Sequence, residues 1–92
     1  MSSETVATRA SAAAAVALVR HRAPETRVLP IAARPVPDHP GYFQVNRVDR
    51  TARALSGGWT FLVDPTKPTG VRTSGDPDRL DLAAALRRGT RA

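Results

Sequence analysis

An alternating apolar segment between residues 59 and 64 constrains the fold more than any other part of the sequence. Trp59, Phe61 and Val63 share one face of an extended chain, while two polar side chains and a leucine occupy the other. This period of two is typical of a strand, and we expect its aromatic side to be buried. The segment DPTKPTG follows with two prolines and Gly70, and VRTS comes next. Together they predict an antiparallel hairpin.

Residues 3–22 predict the first helix. Serine and Glu4 stand at its start, where a side-chain oxygen caps free N–H groups and a carboxylate favours the helix dipole. Basic residues fill its last turn, and Pro24 ends it because the residue before a proline resists the helical conformation. The expected buried face is a flat stripe at helical spacing, formed by Val6, Ala10, Ala13 and Ala17.

Residues 27–33 predict the first strand. Pro30 within it favours an edge strand or a bulge, because proline cannot donate to the hydrogen bonds of a ladder. Three prolines at 34–41 then predict a loop.

Residues 41–48 predict the second strand, with Phe43 and Val45 on one face. Tyr42, Gln44 and Asn46 occupy the other face. Residues 49–58 fit either a loop or a short strand at 52–55 that runs into a glycine turn.

Residues 76–88 predict a final helix, with Asp76 as its cap and Pro77 at its first position. Leu82 and Leu86 should join the first helix in covering the aromatic face of the hairpin. The fold class is therefore α+β: an N-terminal helix, a three- to four-stranded antiparallel sheet with its helices on one face, and a short C-terminal helix. We expect one domain over residues 1–92, frayed at 1–3 and 89–92.

The composition limits the size of the core. A chain of 92 residues buries only about 60–65% of its unfolded surface, and much of the 41% apolar content is alanine. A homodimer or another partner could supply further burial. The nine-residue segment SAAAAVALV is too short to span a bilayer, and Glu4 precedes it. We expect a cytoplasmic protein with no membrane association, with a signal peptide as the minor alternative.

The residues that carry chemistry are few. Cysteine is absent, which excludes disulfides, thiolate nucleophiles and cysteine-based zinc sites. His21 and His39 are the one hint of acid–base chemistry, and only Asp38 adjoins either of them. No serine lies in a nucleophile elbow, and helix capping accounts for Asp76 and Asp78. We predict a protein that is not an enzyme and that takes no cofactor or metal.

The net charge of +6 comes with thirteen arginines among fourteen basic residues. A GC-rich genome explains this bias, and so does an anionic partner, since arginine suits carboxylates and phosphates. Tyr42 and Phe43 lie on a strand as in RNA-recognition domains, but the preceding basic residue and the motif order are missing. The candidate contact residues for a protein or a nucleic acid are Arg47, Arg50, Arg53, Arg87, Arg88 and Arg91.

The order of elements over residues 5–75 resembles small cystatin-like domains, and most closely the YrhB-like immunity family of bacterial polymorphic-toxin systems. The matching segments are GYFQV, the glycine pair, FLVD and TGVRTSG. Peptidase-propeptide-like domains share the ending of this pattern. The resemblance implies a non-enzymatic protein-binding module, an immunity-type inhibitor of a bacterial toxin. The alternative is a basic accessory protein that associates with nucleic acid.

Overall fold

A computed structural model describes residues 3–37, 39–51, 53, 55, 59–67, 70–74 and 84. Over these residues the chain forms one helix and one antiparallel sheet in the order β1-β2-β3-β4. The elements are α1 (Ser3–Arg22), β1 (Ile31–Pro35), β2 (Phe43–Arg47), β3 (Trp59–Val63) and β4 (Gly70–Ser74). The predicted α+β class is confirmed. The predicted final helix falls, apart from Ala84, outside the described residues.

A tight 3₁₀ segment, Pro24–Val28, connects the helix to the sheet. The Thr26 hydroxyl donates to the carbonyl oxygen of Ala23 at 2.7 Å, and Arg20 Nη1 donates to the Thr26 carbonyl oxygen at 2.7 Å. The prediction of a strand from residue 27 is therefore wrong for its first part, and β1 begins at Ile31. Proline at the first position and the Arg20 hydrogen bond hold these residues in a turn.

The buried face of α1 differs from the predicted one. Ala10, Ala13 and Ala17 are exposed, and the side chain of Val6 lies outside the described residues. The helix is oriented about its axis so that Val19 lies in the core instead, because a valine side chain buries more apolar area than an alanine methyl group. The residues of α1 that meet the core, fully or partly buried, are Ala12, Ala15, Leu18 and Val19.

The core lies between α1 and one face of the sheet. Phe43 and Val45 of β2 and Phe61 and Val63 of β3 are buried there, as the alternation predicts. Trp59 is half-buried and meets Phe61 edge to face, with ring centroids 5.1 Å apart. Phe61, at 2% exposure, is therefore the aromatic side chain that the core encloses most completely among those facing α1.

The opposite face of the sheet is buried as well, although the alternation predicts burial of the aromatic side alone. Leu62, Thr60 and Asn46 are almost fully enclosed on that face. Asn46 Nδ2 donates to Thr60 Oγ1 at 2.6 Å and to the Trp59 carbonyl oxygen at 3.2 Å. These two bonds satisfy the Asn46 Nδ2 group, which would otherwise be costly to bury.

Strand β1 is an edge strand, as Pro30 predicts. Val48 N donates to the Pro30 carbonyl oxygen at 2.9 Å, and Val36 N donates to the Tyr42 carbonyl oxygen at 3.0 Å. By the alternation of an antiparallel ladder, the backbone of Pro35 faces away from β2. The lack of an N–H at Pro35 therefore costs the β1–β2 ladder no hydrogen bond. On the outer edge of β1, the same lack disfavours pairing with another chain.

Candidate interaction surface

Three of the six predicted contact arginines gather at one end of the sheet. Arg47 closes β2, while Arg50 and Arg53 lie in the turn that follows. We call these three residues the arginine end. Arg87, Arg88 and Arg91, which the sequence also suggests, lie outside the described residues.

A single carboxylate organises the turn that carries Arg50 and Arg53. Asp49 Oδ1 accepts hydrogen bonds from Thr51 N at 2.8 Å, Thr51 Oγ1 at 2.7 Å and Arg53 N at 3.0 Å. Asp49 N donates in turn to the Arg53 carbonyl oxygen at 2.9 Å. The hydroxyl bond from Thr51, followed by the backbone bonds from Arg53 and Thr51, lowers the pKa of Asp49 below its ordinary value. The turn is therefore closed by the carboxylate and presents its arginines outwards.

The guanidinium groups of the arginine end make no hydrogen bond or ion pair with the described residues, although the charge of Arg53 also helps to lower the pKa of Asp49. Arg47, Arg50 and Arg53 are exposed, and no hydrogen bond or ion pair in that part of the chain engages their guanidinium groups. Two other arginines contrast with them. Arg72 Nη1 lies 3.5 Å from Glu25 Oε1, and Arg27 Nε donates to the Arg20 carbonyl oxygen at 3.0 Å. The arginine end is thus available for charge-assisted hydrogen bonds to another molecule.

The aromatic side chains do not form a platform for stacking bases. Phe43 is buried against α1. Tyr42 is half-buried at the opposite end of the sheet, where Lys67 Nζ lies 5.0 Å from its ring centroid. The positions of Tyr42 and Phe43 therefore do not support the sequence-based comparison with an RNA-recognition strand.

A cleft of about 260 Å³ opens at the end of the sheet opposite the arginine end. Thr8 and Ser11 of α1 line it on one side, and Pro35, Val36 and residues 39–43 supply the other. The loop between β1 and β2 is held by two hydrogen bonds. His39 N donates to the Val36 carbonyl oxygen at 3.3 Å, and Tyr42 N donates to the His39 carbonyl oxygen at 3.1 Å. The volume lies just below the range of about 300–1,000 Å³ that small-molecule sites occupy.

The described groups in and around this cleft do not form a catalytic constellation. His39 is half-buried in its lining, and the described lining residues include no carboxylate and no cysteine. His21 is exposed at the far end of α1. Within the described part of the chain, no group of three His, Cys, Asp or Glu residues could hold a metal ion.

The nearby carboxylate of Asp64 is committed to a turn. Asp64 Oδ1 accepts from Thr66 N at 2.9 Å and from Thr66 Oγ1 at 2.6 Å, and Lys67 N donates to the Asp64 carbonyl oxygen at 2.9 Å. The hydroxyl and backbone bonds from Thr66 lower the pKa of Asp64, against the opposing effect of its burial. A carboxylate that is ionised and occupied in this way suits a structural role better than proton transfer at neutral pH.

Comparison with known proteins identifies no relative of this chain. No protein-family model, no curated protein and no solved structure matches the chain. Among the described residues, no helix has the length and apolar character needed to cross a membrane.

Proposed function

We propose that this protein is a non-enzymatic module that binds another protein through the arginine end. The observation that carries the proposal is the Asp49-closed turn, which presents Arg50 and Arg53 beside Arg47 with guanidinium groups that make no hydrogen bond or ion pair among the described residues. Guanidinium groups held in this way favour a partner that offers carboxylates, because arginine binds carboxylates through paired hydrogen bonds.

The state of the buried and half-buried polar groups supports a binding role over a catalytic one. Asp49 and Asp64 both serve as turn acceptors, and their lowered pKa values keep them ionised. His39 lies in a cleft whose described lining offers no carboxylate to orient the imidazole. A general acid–base pair needs two such groups within hydrogen-bonding reach of one substrate atom.

An immunity-type inhibitor is one form that such a module takes. The resemblance of the strand segments to bacterial immunity domains motivates this form, and the helix with its four-stranded sheet is compatible with it. In this proposal the arginine end covers an acidic region of a cognate toxin. The partner then neutralises the charge that the chain carries in excess.

The alternative is an accessory protein that associates with nucleic acid. The net charge of +6 and the three exposed arginines favour attraction to phosphates. Binding of this kind is strongly salt-dependent. If six or more phosphates are contacted, the affinity falls about 10³-fold or more between about 50 and about 200 mM salt.

Affinity purification with paired variants tests the proposal. We would compare the parent protein with the triple variant Arg47→Ser, Arg50→Ser, Arg53→Ser, and with Arg9→Ser as a control on exposed α1 surface. A partner protein that is retained at about 200 mM salt by the parent and the control, but lost by the triple variant, supports the proposal. Equal retention by all three proteins overturns it, and so does recovery of nucleic acid alone.

A further inference from the structure

Two aliphatic side chains remain in solvent close to the arginine end. Val28 is 87% exposed and Leu55 is 37% exposed, and they are the large hydrophobic residues with open surface in the described part of the chain. Isolated exposed aliphatic residues are common on protein surfaces and need no explanation. Val28 and Leu55 differ from isolated aliphatic residues because they lie near exposed arginines.

The backbone places both residues at the end of β2. Leu55 N donates to the Arg47 carbonyl oxygen at 2.9 Å, which puts Leu55 beside the last residue of that strand. On the other side, Val48 N donates to the Pro30 carbonyl oxygen at 2.9 Å, and Val28 precedes Pro30 by two residues. The two aliphatic residues therefore flank the end of β2.

Val28 is presented on a well-bonded segment. Thr26 is buried and donates through both its N–H and its hydroxyl to the Ala23 carbonyl oxygen, at 2.9 and 2.7 Å. Leu29 N then donates to the Thr26 carbonyl oxygen at 3.1 Å. Backbone held in this way loses little conformational freedom when a partner covers Val28, which favours binding.

We infer that Val28 and Leu55 extend the arginine end into one contact surface, whose partner is an acidic protein segment that carries aliphatic side chains between its carboxylates. This inference rests on the proposed function and adds the class of the partner. Carboxylates complement Arg47, Arg50 and Arg53, while apolar side chains of the partner cover the two aliphatic residues. Protein interfaces combine apolar contacts with arginines in this way.

The same surface suits a nucleic acid less well. Single-stranded nucleic acids gain affinity by stacking bases on aromatic side chains. Trp59 lies at this end of the sheet, but it is half-buried and meets Phe61 edge to face. Tyr42 lies at the opposite end and Phe43 is enclosed in the core. The contacts left at the arginine end are cationic and aliphatic, and a phosphate backbone offers nothing to the aliphatic ones.

Fluorescence anisotropy with defined probes tests the inference. The probes are a short glutamate-rich peptide with two leucines, the same peptide with serines in place of the leucines, and single- and double-stranded DNA of equal charge. We expect the leucine peptide to bind the parent protein about tenfold more tightly than the serine peptide. That factor corresponds to about 1.4 kcal/mol, as expected for partial burial of one aliphatic side chain.

Variants locate the effect. The double variant Val28→Ser, Leu55→Ser should bind both peptides equally, while Ala17→Ser, a control on the exposed side of α1, keeps the tenfold preference. Thermal unfolding by circular dichroism checks that each variant stays folded.

Two results separate the possible failures. If the double variant keeps the tenfold preference for the leucine peptide, the aliphatic contact is wrong and the proposed function stands. The same conclusion follows if the parent binds both peptides equally and the arginine triple variant binds neither. If neither peptide binds and DNA binds tightly at about 200 mM salt, the proposed function and this inference both fail.

Discussion

The backbone of Gly41 lies directly against the carboxylate of Asp64, so that a Cβ atom at residue 41 would stand 2.7 Å from Asp64 Oδ2. Gly41 has a φ of +89°, a conformation that other residues rarely adopt. The β1–β2 loop and the β3–β4 turn therefore meet at this glycine. Lys67, above the ring of Tyr42, adds a second contact between the same two segments.

Replacement of Gly41 should separate this pair of loops. Gly41→Ala adds backbone strain at positive φ and a clash with Asp64, and we expect it to cost about 2–4 kcal/mol of unfolding free energy. Urea denaturation followed by circular dichroism measures the loss. Pro40→Ala, on the adjacent exposed residue, should cost less than about 1 kcal/mol. A Gly41→Ala variant as stable as the Pro40 control would show that the loops are not in contact.

The pH dependence of stability should report the Asp64 carboxylate. Its pKa in the folded protein is below the ordinary value of 3.8 because of the Thr66 hydrogen bonds. The ionised form therefore stabilises the fold above pH 3.8, and this stabilisation is lost as the pH falls through the lower folded pKa. We expect Asp64→Asn to be less stable than the parent at pH 7, with the difference disappearing toward acid pH.

Urea midpoints measured from neutral to strongly acid pH would test this. Asp49→Asn provides a comparison, since the pKa of Asp49 is lowered by the same kind of bonds on an exposed turn. A constant difference between the parent and Asp64→Asn across the whole range would contradict the assignment of Thr66 as a partner of the ionised form.

The elements that local rules govern could be predicted from the sequence. Pro24 fixes the end of α1, and the alternation at 59–63 fixes β3, because each depends on residues close in the chain. The buried face of α1 could not be predicted in this way. Alanine occurs on every side of the helix, so only the packing against Phe43 and Phe61 selects Val19 over Ala17.

Part of the candidate surface could also be predicted, and part could not. Charge and position are enough to single out Arg47, Arg50 and Arg53. The contributions of Val28 and Leu55 depend on exposure and on the bond from Leu55 N to the Arg47 carbonyl oxygen, neither of which leaves a pattern in the sequence. The 3₁₀ segment depends likewise on a hydrogen bond between Arg20 and Thr26.

The Asp49 carboxylate should control the order of the arginine end. Asp49→Ala removes the acceptor of Thr51 N and Arg53 N, so we expect faster hydrogen exchange at those two amides. The melting temperature should change little, because the turn is exposed. Exchange measured by nuclear magnetic resonance gives the readout, with Asp49→Asn as a variant that keeps an acceptor oxygen. Unchanged exchange in Asp49→Ala would show that the carboxylate does not close the turn.

The buried Asn46 and Thr60 side chains should be energetically coupled. Thr60→Val removes the acceptor 2.6 Å from Asn46 Nδ2 and leaves part of a buried donor unsatisfied. Asn46→Leu removes that donor, together with an Oδ1 atom that has no hydrogen-bond partner among the described residues. The double variant should therefore be less destabilised than the sum of the single ones, by about 0.5–2 kcal/mol. Additive single effects in urea denaturation would argue against the pair.

The final prediction concerns the relative importance of Trp59 and Phe61, which meet edge to face. The alternating segment suggests Trp59 as the main apolar anchor, with a cost of about 3–5 kcal/mol for Trp59→Ala. The structure assigns that cost to Phe61, which is 2% exposed, and leaves Trp59 half-buried at the end of β3. We expect Phe61→Ala to cost about 3–5 kcal/mol and Trp59→Ala about 2 kcal/mol, because less apolar area is lost. Both substitutions delete the same ring contact, so their difference reports burial together with the contact of Arg72 Cζ above the Phe61 ring, 5.2 Å from its centroid. Circular dichroism in urea follows both variants without relying on tryptophan fluorescence, and an equal or larger loss for Trp59→Ala would restore Trp59 as the anchor.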